Sequence, residues 1–200
     1  MRAAVFVLGL FGGIAHADPE ADPVTVAGDA NLESESAHHD SYVTLALGGG
    51  LTIGYGIRDS IGRGGAGSFR VGNMMSQQGM LTLELAGVAL LHAVETSSGN
   101  SELKTNQDTN LLIGLQYFLA TSFWIRGGVG LGIYKGVSVQ LGNGTRGDVT
   151  LVGPAGVLGG GIDVIRWGPA SIGVEMMSIA MLNRDGILSS GGLMLNLSID

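Results

Sequence analysis

The sequence predicts an all-β protein, a closed antiparallel up-and-down transmembrane β-barrel of about eight strands. Three observations carry that prediction. Apolar residues recur at every second position in one segment after another, which is the period of a strand and not of a helix. Glycine occurs 36 times in 200 residues without a collagen period, while hydrophobic residues make up 45% of the chain, so it is turn-rich rather than disordered. Charged residues are only 14% and mean hydropathy is positive, so part of the surface faces something other than water.

The start of the chain reads as an export signal. Met1-Arg2 gives a short positive start, Ala3 to Ile14 an apolar run, and Ala15-His16-Ala17 a small-x-small site, so cleavage is expected after Ala17. Residues 18–40 form a separate acidic leader, expected to be disordered. Asp18, Glu20, Asp22, Asp29, Glu33, Glu35 and Asp40 stand there without one lysine or arginine. Most of the net charge of -7 belongs to that leader. The remaining bases are scattered along the chain, which argues against a nucleic-acid partner. The chain has no cysteine, which excludes a disulfide framework, a thiolate nucleophile and a lipoprotein anchor.

The barrel domain is expected over residues 41–200. The first strand shows Val43, Leu45, Leu47, Leu51, Ile53, Tyr55 and Ile57 on one parity against Thr44, Ala46, Gly48, Gly50 and Thr52 on the other. Arg58 to Gly67 reads as a glycine-rich loop. A weaker second strand, Ser68 to Met75, points Phe69 and Val71 outward and Arg70 inward. Ser76 to Gly79 is a turn, and the third strand runs from Met80 to about Glu95, with Leu81, Leu83 and Leu85 opposed to Thr82, Glu84 and Ala86. Thr96 to Thr109 is polar and reads as loop.

The clearest pair follows. From Asn110 to Leu119 the apolar positions are Leu111, Ile113, Leu115, Tyr117 and Leu119. After Ala120-Thr121-Ser122 they resume as Phe123, Ile125, Val129, Leu131 and Ile133. Gly136 to Pro154 reads as a long loop and Ala155 to Arg166 as the sixth strand. A tight turn at Trp167-Gly168-Pro169 precedes the seventh, Ala170 to about Leu182. Asn183 to Ser190 is expected to be loop, and the eighth strand alternates Leu193, Leu195, Leu197 and Ile199 with Met194, Asn196 and Ser198. Short connections therefore alternate with long ones, as in barrels whose short turns face the periplasm. This arrangement puts Tyr42, Tyr117, Phe118, Phe123, Trp124 and Trp167 near the periplasmic rim, as an aromatic girdle.

On this pattern of strands, signal and connections, residues 42–200 resemble the small eight-stranded outer-membrane barrels, the class of the OmpA transmembrane domain and the OmpX-like proteins. The resemblance implies outer-membrane localisation, with outer-membrane lipid and the outer-membrane assembly machinery as partners. The chain departs from that class at its end, where Leu197-Ser198-Ile199-Asp200 replaces the aromatic terminus read during assembly.

With the leucine parity facing lipid, Arg70, Glu84, Gln116, Arg126, Asp163, Glu175 and Asn196 face a polar lumen. There Arg70 and Arg126 are expected to pair with Glu84, Asp163 and Glu175 as a structural plug, because a barrel of eight strands holds little beyond its own side chains. Gly48, Gly50, Gly128, Gly130 and Gly132 are read as making room for Arg126, Trp124 and their neighbours. Two G-x-G-x-x-G matches, Gly62/Gly64/Gly67 and Gly142/Gly144/Gly147, open no helix and lack the phosphate-cradling context. His38-His39-Asp40 lies in the leader without further ligands, so neither a metal nor a cofactor is expected. His92, with Glu95 and Ser97 nearby, does not assemble a hydrolase triad by parity.

These readings converge on a non-enzymatic barrel whose role, structural or adhesive, is carried by external loops toward an unknown extracellular partner. Three alternatives stay open: a narrow pore, a lipid-modifying enzyme, and a soluble lipocalin-like binder of an apolar ligand with its faces inverted.

Overall fold

A computed structural model describes residues 41–58, 61–95 and 101–199. The signal, the acidic leader, His38-His39-Asp40, Ser97 and the side chain of His92 lie outside the described residues.

Eight antiparallel strands form one closed barrel: β1 (Ser41–Tyr55), β2 (Gly62–Met74), β3 (Gly79–Glu95), β4 (Ser101–Ala120), β5 (Phe123–Gln140), β6 (Arg146–Trp167), β7 (Ala170–Asn183) and β8 (Gly186–Ile199). Each strand pairs with the next in sequence, and β1 closes on β8 from Val43↔Ile199 to Tyr55↔Ile187. Closure leaves no unpaired sheet edge, the condition for a sheet to stand in hydrocarbon.

Alternation decides the faces. Leu45, Leu47, Leu83, Leu115, Leu131, Leu195 and their parity mates are exposed on the outside, whereas Thr44, Thr82, Glu84, Gln116, Arg126 and Asn196 are buried within. The inverted, lipocalin-like arrangement is thereby excluded: the leucine parity does not line an internal pocket. Ile57 breaks the expected parity. The strand ends at Tyr55, and Gly56 takes a positive φ of 83°, open to glycine at little cost. That turn carries Ile57 inside, where it is fully buried.

The three short turns fall where the sequence puts them, at 75–78, 121–122 and 168–169. The four long loops are largely strand instead. Gly62–Gly67 belongs to β2, Ser101–Thr109 to β4, Gly136–Gln140 and Arg146–Pro154 to β5 and β6, and Gly186–Ser190 to β8. A ladder satisfies the backbone whatever its side chains are, so strands continue past the point where leucine alternation gives way to Thr105, Gln107 and Thr109. Beyond the apolar belt the outer face meets water, and the cue that marks a strand in the sequence disappears.

Candidate functional site

The site built by these strands is the lumen, which is filled in layers from the turn end to the loop end. At the turn end Tyr42 from β1, Met80 from β3, Phe118 from β4 and Trp124 from β5 form one buried cluster. Tyr42 and Phe118 meet edge-to-face with ring centroids 6.2 Å apart. Three of the residues expected in the outer girdle, Tyr42, Phe118 and Trp124, thus face inward. They sit on the lumen parity of their strands, opposite to Tyr117, Phe123 and Trp167, which are exposed on the outside at the same end. The Tyr117 hydroxyl donates to the Gln78 side chain in the neighbouring turn.

Above the aromatic cluster lies an ionic layer. Arg70 donates to both carboxylate oxygens of Glu175, at 3.3 and 3.2 Å. Arg126 donates to Glu175 with one nitrogen and to Glu84 with another. The Arg70 guanidinium also stands 4.8 Å from the centre of the Trp124 ring. Two arginines and two glutamates, all buried, make the layer neutral. Register explains the meeting: Arg70 is paired with Glu84 across β2 and β3, and Gln116 with Arg126 across β4 and β5. Glu175 reaches them across the lumen from β7 because a narrow barrel leaves long side chains no other space.

Asp163 is the fifth residue of the expected cluster, and the structure does not bring it to this layer. It pairs instead with Arg166 at 3.2 Å, three residues along the same strand. A register irregularity between Asp163 and Ile165 puts both Val164 and Ile165 on the outer face. Arg166 was not readable as a partner, since i,i+3 contact is no property of a regular strand.

The glycines that make room are also different from those expected. A Cβ on Gly159 would stand 3.1 Å from the Arg126 Nε, and one on Gly161 would be 2.5 Å from the Trp124 ring. Both lie on β6, facing β5 across the register pairs Arg126↔Gly159 and Trp124↔Gly161. Gly48, Gly128 and Gly130 instead face backbone of the neighbouring strand, while Gly132 clears Asn110 and Met181, and Gly50 clears Val88 and Ala66.

Toward the loop end the lumen becomes apolar, contrary to the polar interior expected throughout. Val88, Leu90, Leu112, Val157, Met177, Ile179, Met181, Leu188 and Met194 pack there as one buried cluster. Their inward parity was visible in the sequence but was overshadowed by the stronger leucine parity outside. One carboxylate interrupts this region: Asp108 accepts from the Ser190 hydroxyl at 2.6 Å and the Asn110 amide at 2.9 Å. At the mouth, Arg58 and Gln140 exchange backbone hydrogen bonds of 2.7 and 3.3 Å, joining the β1–β2 connection to the end of β5 across the opening. Ile57 and Val139 beside them are fully buried.

Neither dinucleotide-like motif forms a phosphate cradle. Gly62, Gly64 and Gly67 are part of β2, and Gly142, Gly144 and Gly147 span the β5–β6 connection into β6. Among the described residues no group of three or more histidine, cysteine or acidic side chains is arranged to hold a metal ion.

No family model matches the sequence, and a search of curated proteins finds no match either. Solved structures do match. Ail, the attachment invasion locus protein of Yersinia pestis, solved in complex with the heparin analogue sucrose octasulfate, superposes with a TM-score of 0.56 at 10% identity, covering 80% of this chain and 100% of that one. Neisserial surface protein A gives a TM-score of 0.53 at 14% identity over 80% of this chain and 97% of its own. At such identities the likeness establishes the fold: this chain has the architecture of the small eight-stranded outer-membrane barrels.

Proposed function

We propose that the protein is a non-enzymatic outer-membrane barrel with a closed lumen, whose structural or adhesive role is carried by its loop-end surface. The observation that carries this reading is the filling of the lumen at every level. Trp124 and its neighbours occupy the turn end, the four-residue ionic layer lies above them, and an apolar core lies above that under the Arg58–Gln140 crossing. A barrel of eight strands that spends its interior on its own packing has its outer surfaces left for recognition.

The continuous outer belt of leucine, isoleucine and valine supports membrane residence, with Tyr117, Phe123 and Trp167 at the turn-end interface. On this reading the chain is exported, processed after Ala17, and inserted by the outer-membrane assembly machinery, with its short turns in the periplasm. Its neighbour in fold, the attachment invasion locus protein, holds a sulfated sugar analogue. That likeness favours the adhesive form of the proposal over a transport role.

Planar-bilayer recording on the refolded barrel tests the closed lumen. The expected result is no sustained single-channel conductance; a stable conductance would replace the plug with a narrow pore. Binding of barrel-bearing vesicles to cultured cells, against vesicles in which residues 141–145 are replaced by a Gly-Ser linker, tests adhesion. Equal binding by the two would remove that connection from the role.

A further inference from the structure

The outer face of the barrel carries a groove that the chain's own packing does not demand. It runs from β2 across β1 and β8 to β7 and encloses about 610 Å³. Gly49, Ser178 and Gly191 floor it, with Leu51 and Met176 as walls and Arg63 at one end. Register sets these residues in a row: Arg63 lies opposite Leu51, Leu51 opposite Gly191, and Gly191 opposite Ser178. A Cβ added at Gly49 would meet nothing within 4 Å, whereas at the adjacent Gly48 it would stand 2.1 Å from a backbone oxygen of Leu193. The fold therefore requires glycine at Gly48 and leaves Gly49 free to carry a side chain. The smooth floor is suited to something outside the chain.

Arg63 identifies what that is. It is exposed on the outer face opposite Leu51, and among the described residues its guanidinium has no ion-pair partner. With strands rising ~3.3 Å per residue at a tilt of ~40°, Leu51 and its partner Arg63 stand roughly 20 Å above Val43, where the apolar face begins. The apolar band of such barrels is about 25 Å tall, so the Arg63 backbone lies about 5 Å inside its loop-end edge, and the long side chain extends to the level of lipid headgroups. A planar, permanently charged guanidinium there is matched to a phosphate, while the groove below it is matched to hydrocarbon.

We propose that this groove binds a phosphate-bearing acyl lipid of the loop-end leaflet, one chain lying over Gly49 and Gly191 and the phosphate held by Arg63. The proposal rests on the membrane reading above. Its test is native mass spectrometry of the mature chain folded into vesicles of digalactosyldiacylglycerol, a bilayer lipid without phosphate, doped with phosphatidic acid or with diacylglycerol of the same chains. Wild type is expected to retain phosphatidic acid about tenfold better than diacylglycerol, the ratio a charge-assisted hydrogen bond supports. Arg63→Gln abolishes that preference, Gly49→Leu lowers retention of both lipids by filling the groove, and Lys135→Gln, an exposed cation on β5, changes neither. Equal retention of the two lipids by wild type, an unchanged preference in Arg63→Gln, or an equal loss in Lys135→Gln would overturn the site. If Arg63→Gln does not fold, undiminished retention by Gly49→Leu overturns it alone. Failure of wild type to enter any vesicle is a different result and removes the membrane reading itself.

Discussion

Among the described residues Glu175 is the one carboxylate in the lumen that holds two arginines, and its removal has a signed consequence. In wild type, two guanidiniums face two carboxylates, and the Arg70–Glu175 contact is 3.2 Å between buried groups. At an effective dielectric of about 20, charges this close attract by roughly 5 kcal/mol, set against the desolvation both have already undergone. Glu175→Gln leaves Arg126 with Glu84 but strips Arg70 of the one carboxylate it has among the described residues, leaving it the Trp124 ring. Breaking a buried pair in this way costs about 3–5 kcal/mol. Arg70→Gln is milder, since Glu175 keeps Arg126. The sharper expectation concerns the double variant: once Glu175 is gone, Arg70 is an uncompensated buried cation, so Arg70→Gln should be neutral or stabilising in the Glu175→Gln background. Equilibrium urea unfolding of the barrel in lipid vesicles, followed by tryptophan fluorescence, measures all three. If Arg70→Gln destabilises equally in both backgrounds, the ionic layer is not the coupled unit described here.

Other consequences follow from individual side chains. The chain has two tryptophans, one exposed on the outside and one buried in the lumen. Lipids brominated along their chains should quench the fluorescence of a Trp124→Phe variant, which keeps Trp167, and leave that of Trp167→Phe largely intact; the reverse order would turn the faces inside out. Gly161→Ala drives a methyl group to 2.5 Å from the Trp124 ring, and overpacking of this kind costs about 1–3 kcal/mol in the same unfolding assay. Asp163→Asn removes an ion pair whose arginine is partly in solvent, and it should cost no more than about 1 kcal/mol. A loss comparable to that of Glu175→Gln would mean that Asp163 belongs to the central network after all.

How much of this was legible in the sequence depends on which surroundings each face meets. Leu81, Leu83 and Leu85 against Thr82, Glu84 and Ala86 announce both the strand and its inner face, because only a two-sided environment produces that alternation. Arg70, Glu84, Arg126 and Glu175 were readable as a lumen set for the same reason. The strand extensions at Ser101–Thr109 and Arg146–Pro154 were not, because outside the apolar belt both faces tolerate polar residues. The inward aromatics depart from the expected girdle because clustering in sequence at a turn does not mean clustering on one surface. Phe118 and Trp124 flank that turn on the opposite parity to Tyr117 and Phe123, and parity is the stronger cue. The partners that cross the lumen, Arg126 with Glu175 above all, are set by barrel width and strand stagger, which no single strand's pattern contains.

The account depends on the barrel residing in a bilayer with its leucine face outward, and folding of the chain from Asp18 onward tests that most directly. The measurement is circular dichroism together with unheated and heated gel migration, in lipid vesicles and in plain buffer. The account predicts a β-rich spectrum and a heat-modifiable band that depend on lipid. A monomer that folds fully in plain buffer would contradict it.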